Sequence, residues 1–346
     1  MNDSKVEELL AAAADGVAFD GLRVARDDRD AGLAFETPED RRVGLTEAKF
    51  RAVARDHVAY VDNWHHWERV VEGHGGYRRA FLRWLEPDDA VPARYDALAD
   101  GVTRTWGQLA VTVRRADGER RYDLRHVDDR ESERADLDER TDPREARELA
   151  KYDAEGEYRP LKTAPTLRTG WALVDLSGDD CVRAVDWFYP ATVANWHRER
   201  EGDLDVTHWR ETADRQTGIY ADVDDLSGDA LDRAARACCA DSQCLKRREW
   251  DEASDADVDA PRGDGEFPCR EACSLFVAAA REFAATDEES TRELTLTSGE
   301  HEQLSALVDA AAEGRVEGVR PGDVSDPANR YRARYLRETR FADEES

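Results

Sequence analysis

The sequence predicts an α+β protein, in which a small α+β domain at the amino terminus precedes a mostly helical domain that carries the cysteines. Two patterns predict this class: apolar and polar residues alternate in short runs in the first third, and apolar residues recur at helical spacing in the second half. Between them, residues 128–160 hold very few apolar side chains. The predicted domains are therefore residues 1–127 and 161–346, joined by a charged linker over residues 128–160.

Local signals predict the elements of the first domain. Thr46 precedes a long run of apolar residues at helical spacing, which is typical of a residue that caps a helix. Asp117 and Gly118 stand between two alternating runs and predict the turn of a β-hairpin. The predicted elements are, in order, a helix over residues 4–14, short strands about 22–24 and 33–35, helices over 46–71 and 77–85, and a hairpin over 106–126.

The second half predicts one strand and then a series of helices. Thr297 and Glu300 are spaced as a capping box, and Pro327 suits the first turn of a last basic helix. The predicted elements are a strand over residues 171–176 and helices about 180–189, 191–199, 227–238, 268–283, 297–314 and 327–340.

Charge is the most unusual property of the chain. The formal net charge is −28 over 346 residues, and there are only five lysines. Such an excess of carboxylates repels phosphate and argues against a nucleic-acid partner. It is typical of proteins adapted to concentrated salt, where the short Debye length screens self-repulsion. The composition therefore predicts a halophilic protein.

Nothing in the sequence predicts a membrane association. No apolar run approaches the ~20 residues of a membrane-spanning helix. The first residues alternate charged side chains with leucine and alanine, unlike a secretory signal. We therefore expect a cytoplasmic protein, whose clustered thiols stay reduced and more often bind metal than form disulfides.

Five of the six cysteines occur within residues 231–283, as Cys238, Cys239, Cys244, Cys269 and Cys273. The spacing of Leu231, Ala234 and Ala235 puts Cys238 on the core face of a helix. A second helix starting at Pro268 would place Cys269 and Cys273 one turn apart on one face, near its free N–H groups. Two such helix ends could surround one iron–sulfur cluster.

The favoured cluster ligands are Cys239, Cys244, Cys269 and Cys273. Cys238 is the alternate to Cys239, because five thiols compete for four positions. Cys181 has no near partner in sequence and is interpreted as a small buried residue. A structural zinc site in an interaction module is the alternative, although C-x4-C and C-x3-C are not the usual zinc spacings. A redox-active thiol protein is a third possibility.

Two groups of polar residues have two interpretations each. The cations Lys246, Arg247, Arg248 and Arg270 either offset thiolate charge or form a solvated basic face. The segment Thr207–Tyr220, rich in Arg, His and Trp, either docks an anionic tetrapyrrole or uses its arginines for internal ion pairs. His65 and His66 point in different directions on a helix and are interpreted as packing residues.

The stretch from about residue 173 to 285 resembles a known family. Its phrases YPATVANWHRE, HWRETADRQTGIY, ACCADSQCLKRREW and GEFPCREACSLFVAAARE are similar to the four-cysteine [4Fe–4S] module fused to, or encoded beside, CbiX-type sirohydrochlorin cobaltochelatases. The amino-terminal domain resembles the α+β stabilising domain that precedes this module.

The resemblance implies a [4Fe–4S] cofactor held by Cys239 (or Cys238), Cys244, Cys269 and Cys273. It implies a context in cobalamin or sirohaem biosynthesis, with electron transfer or an accessory role. A CbiX-type chelatase or another tetrapyrrole-pathway protein would be the partner. It does not imply that this chain inserts the metal, since no matching set of histidines and acids occurs.

Overall fold

The structure is a computed structural model that describes residues 3–27, 32–71, 75–152, 167–217, 228–240, 244–252, 258–288, 293–313 and 327–340. It divides into two compact units, the first comprising residues 3–152 and 167–197, and the second beginning at Arg198. The first unit contains two antiparallel or mixed sheets with helices, and the second is mostly helical. The predicted α+β class is therefore confirmed.

The first sheet of the first unit is an antiparallel meander in the order β1-β2-β3-β4. Its strands are β1 (Val17–Phe19), β2 (Leu22–Asp27), β3 (Gly32–Glu36) and β4 (Arg41–Leu45). Leu22, Val24, Leu33 and Phe35 are buried, as their alternation predicts. The pattern indicated two of the four strands, because β1 has three residues and β4 is almost entirely exposed.

Two helices follow where the sequence predicts one. The hydroxyl of Thr46 accepts a hydrogen bond from the backbone N–H of Lys49, so Thr46 caps the helix as expected. The run is then divided at His57, whose backbone leaves the helical region. The helices of this part are α1 (Asp3–Ala12), α2 (Glu47–Asp56), α3 (Val58–His65), a π-helical turn (His66–Val70), α4 (Gly76–Leu85) and α5 (Val91–Asp100).

The second sheet has five strands in the order β5-β6-β7-β9-β8. Asp117 and Gly118 connect β6 to β7 with φ of 53° and 79°, the left-handed backbone that a two-residue hairpin turn requires. The strands are β5 (Val102–Trp106), β6 (Leu109–Ala116), β7 (Glu119–His126), β8 (Asp138–Arg140) and β9 (Trp171–Leu176).

The predicted linker over residues 128–160 differs from the structure. Strand β8 lies within it and pairs parallel with β9, and Leu137 packs on Ala172 and Val174. Helix α6 (Glu145–Leu149) also lies there, with Leu149 buried. The three residues of β8 are all charged, so apolar and polar residues do not alternate there. The sequence therefore did not predict their pairing with a strand about 30 residues later. The boundary between the two compact units lies instead between His197 and Arg198.

The first unit ends with two helices that the sequence predicts closely. They are α7 (Gly178–Phe188), which Ser177 caps, and α8 (Thr192–Glu201), which continues past the end of the unit. Cys181 lies in α7 and is fully buried, as the packing interpretation expects.

The second unit packs its helices around one apolar core. Leu231, Ala234, Ala235 and Cys238 are buried in this core, on the face that their spacing predicts. Thr297 and Glu300 form the predicted capping box. The elements are α9 (Trp209–Thr217), α10 (Gly228–Cys238), β10 (Lys246–Arg248), β11 (Phe267–Cys269), α11 (Ser274–Glu288), α12 (Ser298–Ala312) and α13 (Pro327–Arg340). Within the described ranges, no helix has the length and apolar character needed to cross a membrane.

Candidate metal centre

A pair of short parallel strands joins the two cysteine segments. In β10 and β11, Lys246 pairs with Phe267 and Arg248 pairs with Cys269. The backbone N–H of Phe267 also donates to the carbonyl of Leu245 over 3.1 Å. The chain just after Cys244 is therefore fastened to the chain that carries Cys269.

Cys269 therefore lies in a strand, and the prediction of a helix starting at Pro268 is wrong. Helix α11 begins only at Ser274, directly after Cys273. A proline has no N–H to donate, but a strand with a single neighbour can accommodate it without losing a ladder bond. The expected i, i+4 relation of Cys269 and Cys273 on one helix face does not exist.

The helix terminus nevertheless reaches one thiol. The backbone N–H of Phe276, in the first turn of α11, donates to Sγ of Cys273 over 3.4 Å. N–H groups in this turn have no partner within the helix and favour negative charge. Cys273 therefore lies beside the free N–H groups at the start of a helix, as the sequence predicted, although the helix begins at Ser274 and not at Pro268.

All five clustered cysteines line one cavity of the second unit, so the structure brings the predicted site residues together. The cavity is lined by Cys238, Cys239, Cys244, Cys269 and Cys273, with Lys246, Arg248, Trp250, Leu275, Phe276 and Tyr331. Cys238 and Cys239 both contribute, so the choice between them stays open. Cys181 belongs to the first unit and lies outside this group.

Burial raises the pKa of three of these thiols, those of Cys239, Cys269 and Cys273. Burial raises the pKa of Cys269 to about 12, and the neighbouring thiols Cys273 and Cys244 add to the rise against the charge of Lys246. It also raises the pKa of Cys239 well above its ordinary value, with repulsion from the other four thiols. For Cys273, burial raises the pKa while the N–H of Phe276 opposes the rise. Such thiols become thiolates when a metal coordinates them.

The donor set of the cavity consists of thiols, which are the protein ligands of iron–sulfur clusters. A lone zinc ion requires four ligand atoms that converge on one point, with sulfurs about 2.3 Å away. Among the described residues, no three His, Cys, Asp or Glu side chains converge in this way. A polynuclear iron–sulfur core is held by four cysteine thiolates, and this cavity is lined by five cysteines.

Two glycines of the loop before β11 complete the site, and the sequence interpretation missed both. A Cβ on Gly263 would lie 2.2 Å from the carbonyl oxygen of Cys239, and one on Gly265 would lie 2.5 Å from the carbonyl carbon of Lys246. The loop leads into the segment of Cys269, and it touches the backbone of the other cysteine segment at Cys239 and just after Cys244. The only sequence signal was the G-D-G pattern shortly before Cys269.

We expect Gly263→Ala to lower the iron content of the purified protein by more than half. The added methyl group would overlap the backbone at Cys239, so the loop must move away and separate the cysteine segments. Gly299→Ala is the matched control, because a Cβ at Gly299 meets nothing within 4 Å. Equal iron content in both variants would show that the close contact of the loop is dispensable.

The four cations near the cysteines have different surroundings. Arg247 forms ion pairs with Glu199 and Glu249, and it does not line the cavity. Arg270 approaches Glu271 at 3.9 Å. Lys246 and Arg248 do line the cavity. Of these four cations, Lys246 and Arg248 are therefore the two that are placed to act on a group bound among the thiols.

The arginine-rich segment around α9 packs internally. Trp209 and Ala213 belong to the core of the second unit, and Arg215 forms an ion pair of 2.5 Å with Glu271. Arg210 lies over the ring of Trp209. These contacts agree with the internal ion-pair interpretation, while Tyr220 lies outside the described residues.

Two of the family models that match this chain meet within a few residues of the boundary between the two compact units. Residues 201–282 match the 4Fe-4S iron-sulfur cluster binding domain. All five clustered cysteines lie within this match, which supports an iron–sulfur cofactor. Residues 91–200 match the DR2241 stabilising domain, and residues 2–72 match a domain of unknown function, DUF7348.

Among solved structures, the chain is similar to DR2241 from Deinococcus radiodurans. That protein is described as multi-domain, with structural similarity to chelatases and with two additional novel domains. The sequences are 26% identical, the TM-score is 0.43, and the alignment covers 60% of this chain and 42% of that one. The search of the curated proteins returned no match.

Proposed function

We propose that this chain binds one [4Fe–4S] cluster through Cys239, Cys244, Cys269 and Cys273, with Cys238 as the alternate to Cys239. The observation that carries the proposal is the cavity that five thiols line together, within the region that matches a 4Fe-4S binding domain. The metal supplies the positive charge that keeps buried thiolates ionised.

The protein's own residues supply the environment of the cofactor. Trp250, Phe276 and Tyr331 cover the cavity with aromatic surface, which limits contact with water. The N–H of Phe276 and the charges of Lys246 and Arg248 favour negative charge in the cavity. When bound, such a cluster accepts and releases one electron at a time, at a potential set by these features.

The proposed role is electron transfer, or an accessory function, in cobalamin or sirohaem biosynthesis. One electron would pass from a low-potential protein donor to the cluster and then to an oxidised tetrapyrrole or metal centre held by the partner. The partner would be a CbiX-type chelatase or another tetrapyrrole-pathway protein, in the cytoplasm, without nucleic acid or membrane. This role rests on the resemblance of the cysteine-flanking motifs and on the match to a stabilising domain.

Anaerobic purification tests the cofactor. We expect a coloured protein with broad visible absorption, about four iron atoms and about four sulfides per chain. A colourless protein with one zinc would contradict the proposal and favour the structural zinc alternative. A pull-down from an extract kept at native salt tests the pathway, with recovery of a tetrapyrrole-pathway protein as the expected result.

A further inference from the structure

Arg248 is a buried cation beside the thiols. The residue is only 4% exposed, and it lines the cavity together with the cysteines. It stands opposite Cys269 in the pairing of β10 with β11. Burying a guanidinium costs free energy unless each of its N–H groups has an acceptor.

Two parts of the guanidinium are occupied by the protein. Nη2 donates to the carbonyl of Ala260 over 2.5 Å, and Nε lies 2.7 Å from a carboxylate oxygen of Glu252. The group also lies over the ring of Trp250, with Cζ 5.3 Å from the ring centroid. These contacts hold the side chain in one orientation, because the planar fork of arginine is rigid.

The third nitrogen is different. Nη1 is buried, and among the described residues it has neither a hydrogen-bond partner nor an ion pair, whereas Nε lacks a hydrogen bond but keeps its ion pair with Glu252. A buried charged donor without an acceptor is rare in folded proteins and points to a missing partner. The acceptors that a loaded site would add are the sulfurs of the cluster and of its thiolate ligands.

We propose that Arg248 donates a hydrogen bond from Nη1 to a sulfur of the bound cluster or its ligands, and thereby favours the reduced cluster. The inference deepens the proposed function and rests on it. Reduction adds one negative charge, so a fixed cation with an N–H donor stabilises the reduced form more than the oxidised form. Arg248 would thus raise the midpoint potential of the cluster through its charge and its hydrogen bond.

Arg247 provides a matched control on the same strand. It carries the same charge, but its guanidinium pairs with Glu199 and Glu249 and does not line the cavity. The variants Arg248→Gln and Arg247→Gln each remove one positive charge. If only the net charge mattered, both substitutions would shift the midpoint potential of the cluster equally. A hydrogen bond from Arg248 to the cluster would instead make Arg248→Gln shift it and leave Arg247→Gln unchanged.

The experiment is a redox titration of the purified, cluster-loaded full chain, followed by visible absorption. At a fixed ambient potential, we expect the oxidised-to-reduced ratio of Arg248→Gln to rise about tenfold over wild type, which is about 59 mV for one electron. Arg247→Gln should titrate like the wild type. Arg248→Lys keeps the positive charge but loses the planar set of N–H donors. Its oxidised-to-reduced ratio should lie between those of the wild type and Arg248→Gln.

Equal midpoints for Arg248→Gln and Arg247→Gln would overturn the inference. If Arg248→Gln cannot hold a cluster, Arg248→Lys decides, and a wild-type midpoint in that variant would overturn it as well. Iron analysis of the wild type tests the proposed function separately from this inference. A wild type without iron refutes both the proposed function and this inference, whereas a loaded wild type with an unshifted Arg248→Gln refutes the inference alone.

Discussion

Alanine in place of Cys269 is expected to abolish the visible absorption of the protein and to reduce its iron from about four atoms per chain to fewer than one. The same result is expected for Cys244→Ala and Cys273→Ala. Each of these thiols lines the cavity, and none has a spare thiol next to it in sequence. Loss of one would leave an iron atom without its protein ligand. Absorption spectra and iron analysis of anaerobic preparations measure the effect.

Cys181→Ala is the control for this series. Cys181 is fully buried in α7 of the first unit, and burial raises the pKa of its thiol, which makes it unreactive. We expect full colour and a loss of roughly 1 kcal/mol in stability from the removed buried atom. If Cys269→Ala kept its iron, or if Cys181→Ala lost it, the proposed ligand set would be wrong.

The adjacent pair needs separate substitutions, because Cys238 and Cys239 both reach the cavity. Cys239 follows the end of α10, where its N–H donates to the carbonyl of Ala235 over 2.8 Å, and Cys238 is the last residue of the helix. The ligand should be the residue whose alanine variant loses the colour. Retention of colour in both single variants and its loss in the double variant would show that either thiol serves.

The sequence predicted the chemistry of the site better than its backbone. Five clustered thiols and their flanking motifs sufficed to predict an iron–sulfur site, because thiol chemistry depends on residue type. The helical face of α10 was also predictable from its spacing. The strand pairing of Arg248 with Cys269 was not, since it joins residues about 20 apart through hydrogen bonds that leave no periodic signal.

The same contrast holds for the fold. Signals contained within a few residues were reliable, as at the Thr46 cap, the Asp117-Gly118 turn and the Thr297 capping box. Features that depend on distant partners were missed, such as β8, whose three charged residues are in a strand only because β9 lies beside them. Side chains that are charged and yet buried form a further class, since composition predicts them to be exposed.

The first unit contains such a group of buried charges. Arg120 lies between two acids, with Nη1 2.9 Å from an oxygen of Asp62 and Nε 2.8 Å from an oxygen of Glu86. Lys5 and Arg94 pair with the other oxygens of these acids, at 2.5 Å and 3.2 Å. Burial acts to lower the pKa of Arg120, but the charges of Glu86 and Asp62 outweigh it, so the pKa is raised.

We expect Arg120→Met to lower the free energy of unfolding by about 3–5 kcal/mol, because it removes the cation that bridges the two buried carboxylates. Asp62 would keep only its pair with Lys5 among the described residues, and Glu86 would keep its pairs with Arg94 and Arg83. Arg121→Met is the matched control on the same strand. Arg121 is about one-third exposed, and among the described residues its ion pair is with Glu119, so its loss should cost less than about 1 kcal/mol.

Denaturant unfolding followed by tryptophan fluorescence measures the difference. Seven of the nine tryptophans belong to the first unit, so the signal reports mainly on the unit that contains Arg120. The comparison should be made in high and low salt. Salt screens the exposed pair of Arg121 but hardly reaches the buried group, so the cost of Arg120→Met should persist in concentrated salt. A cost that disappeared with salt would mean that water enters this group of charges.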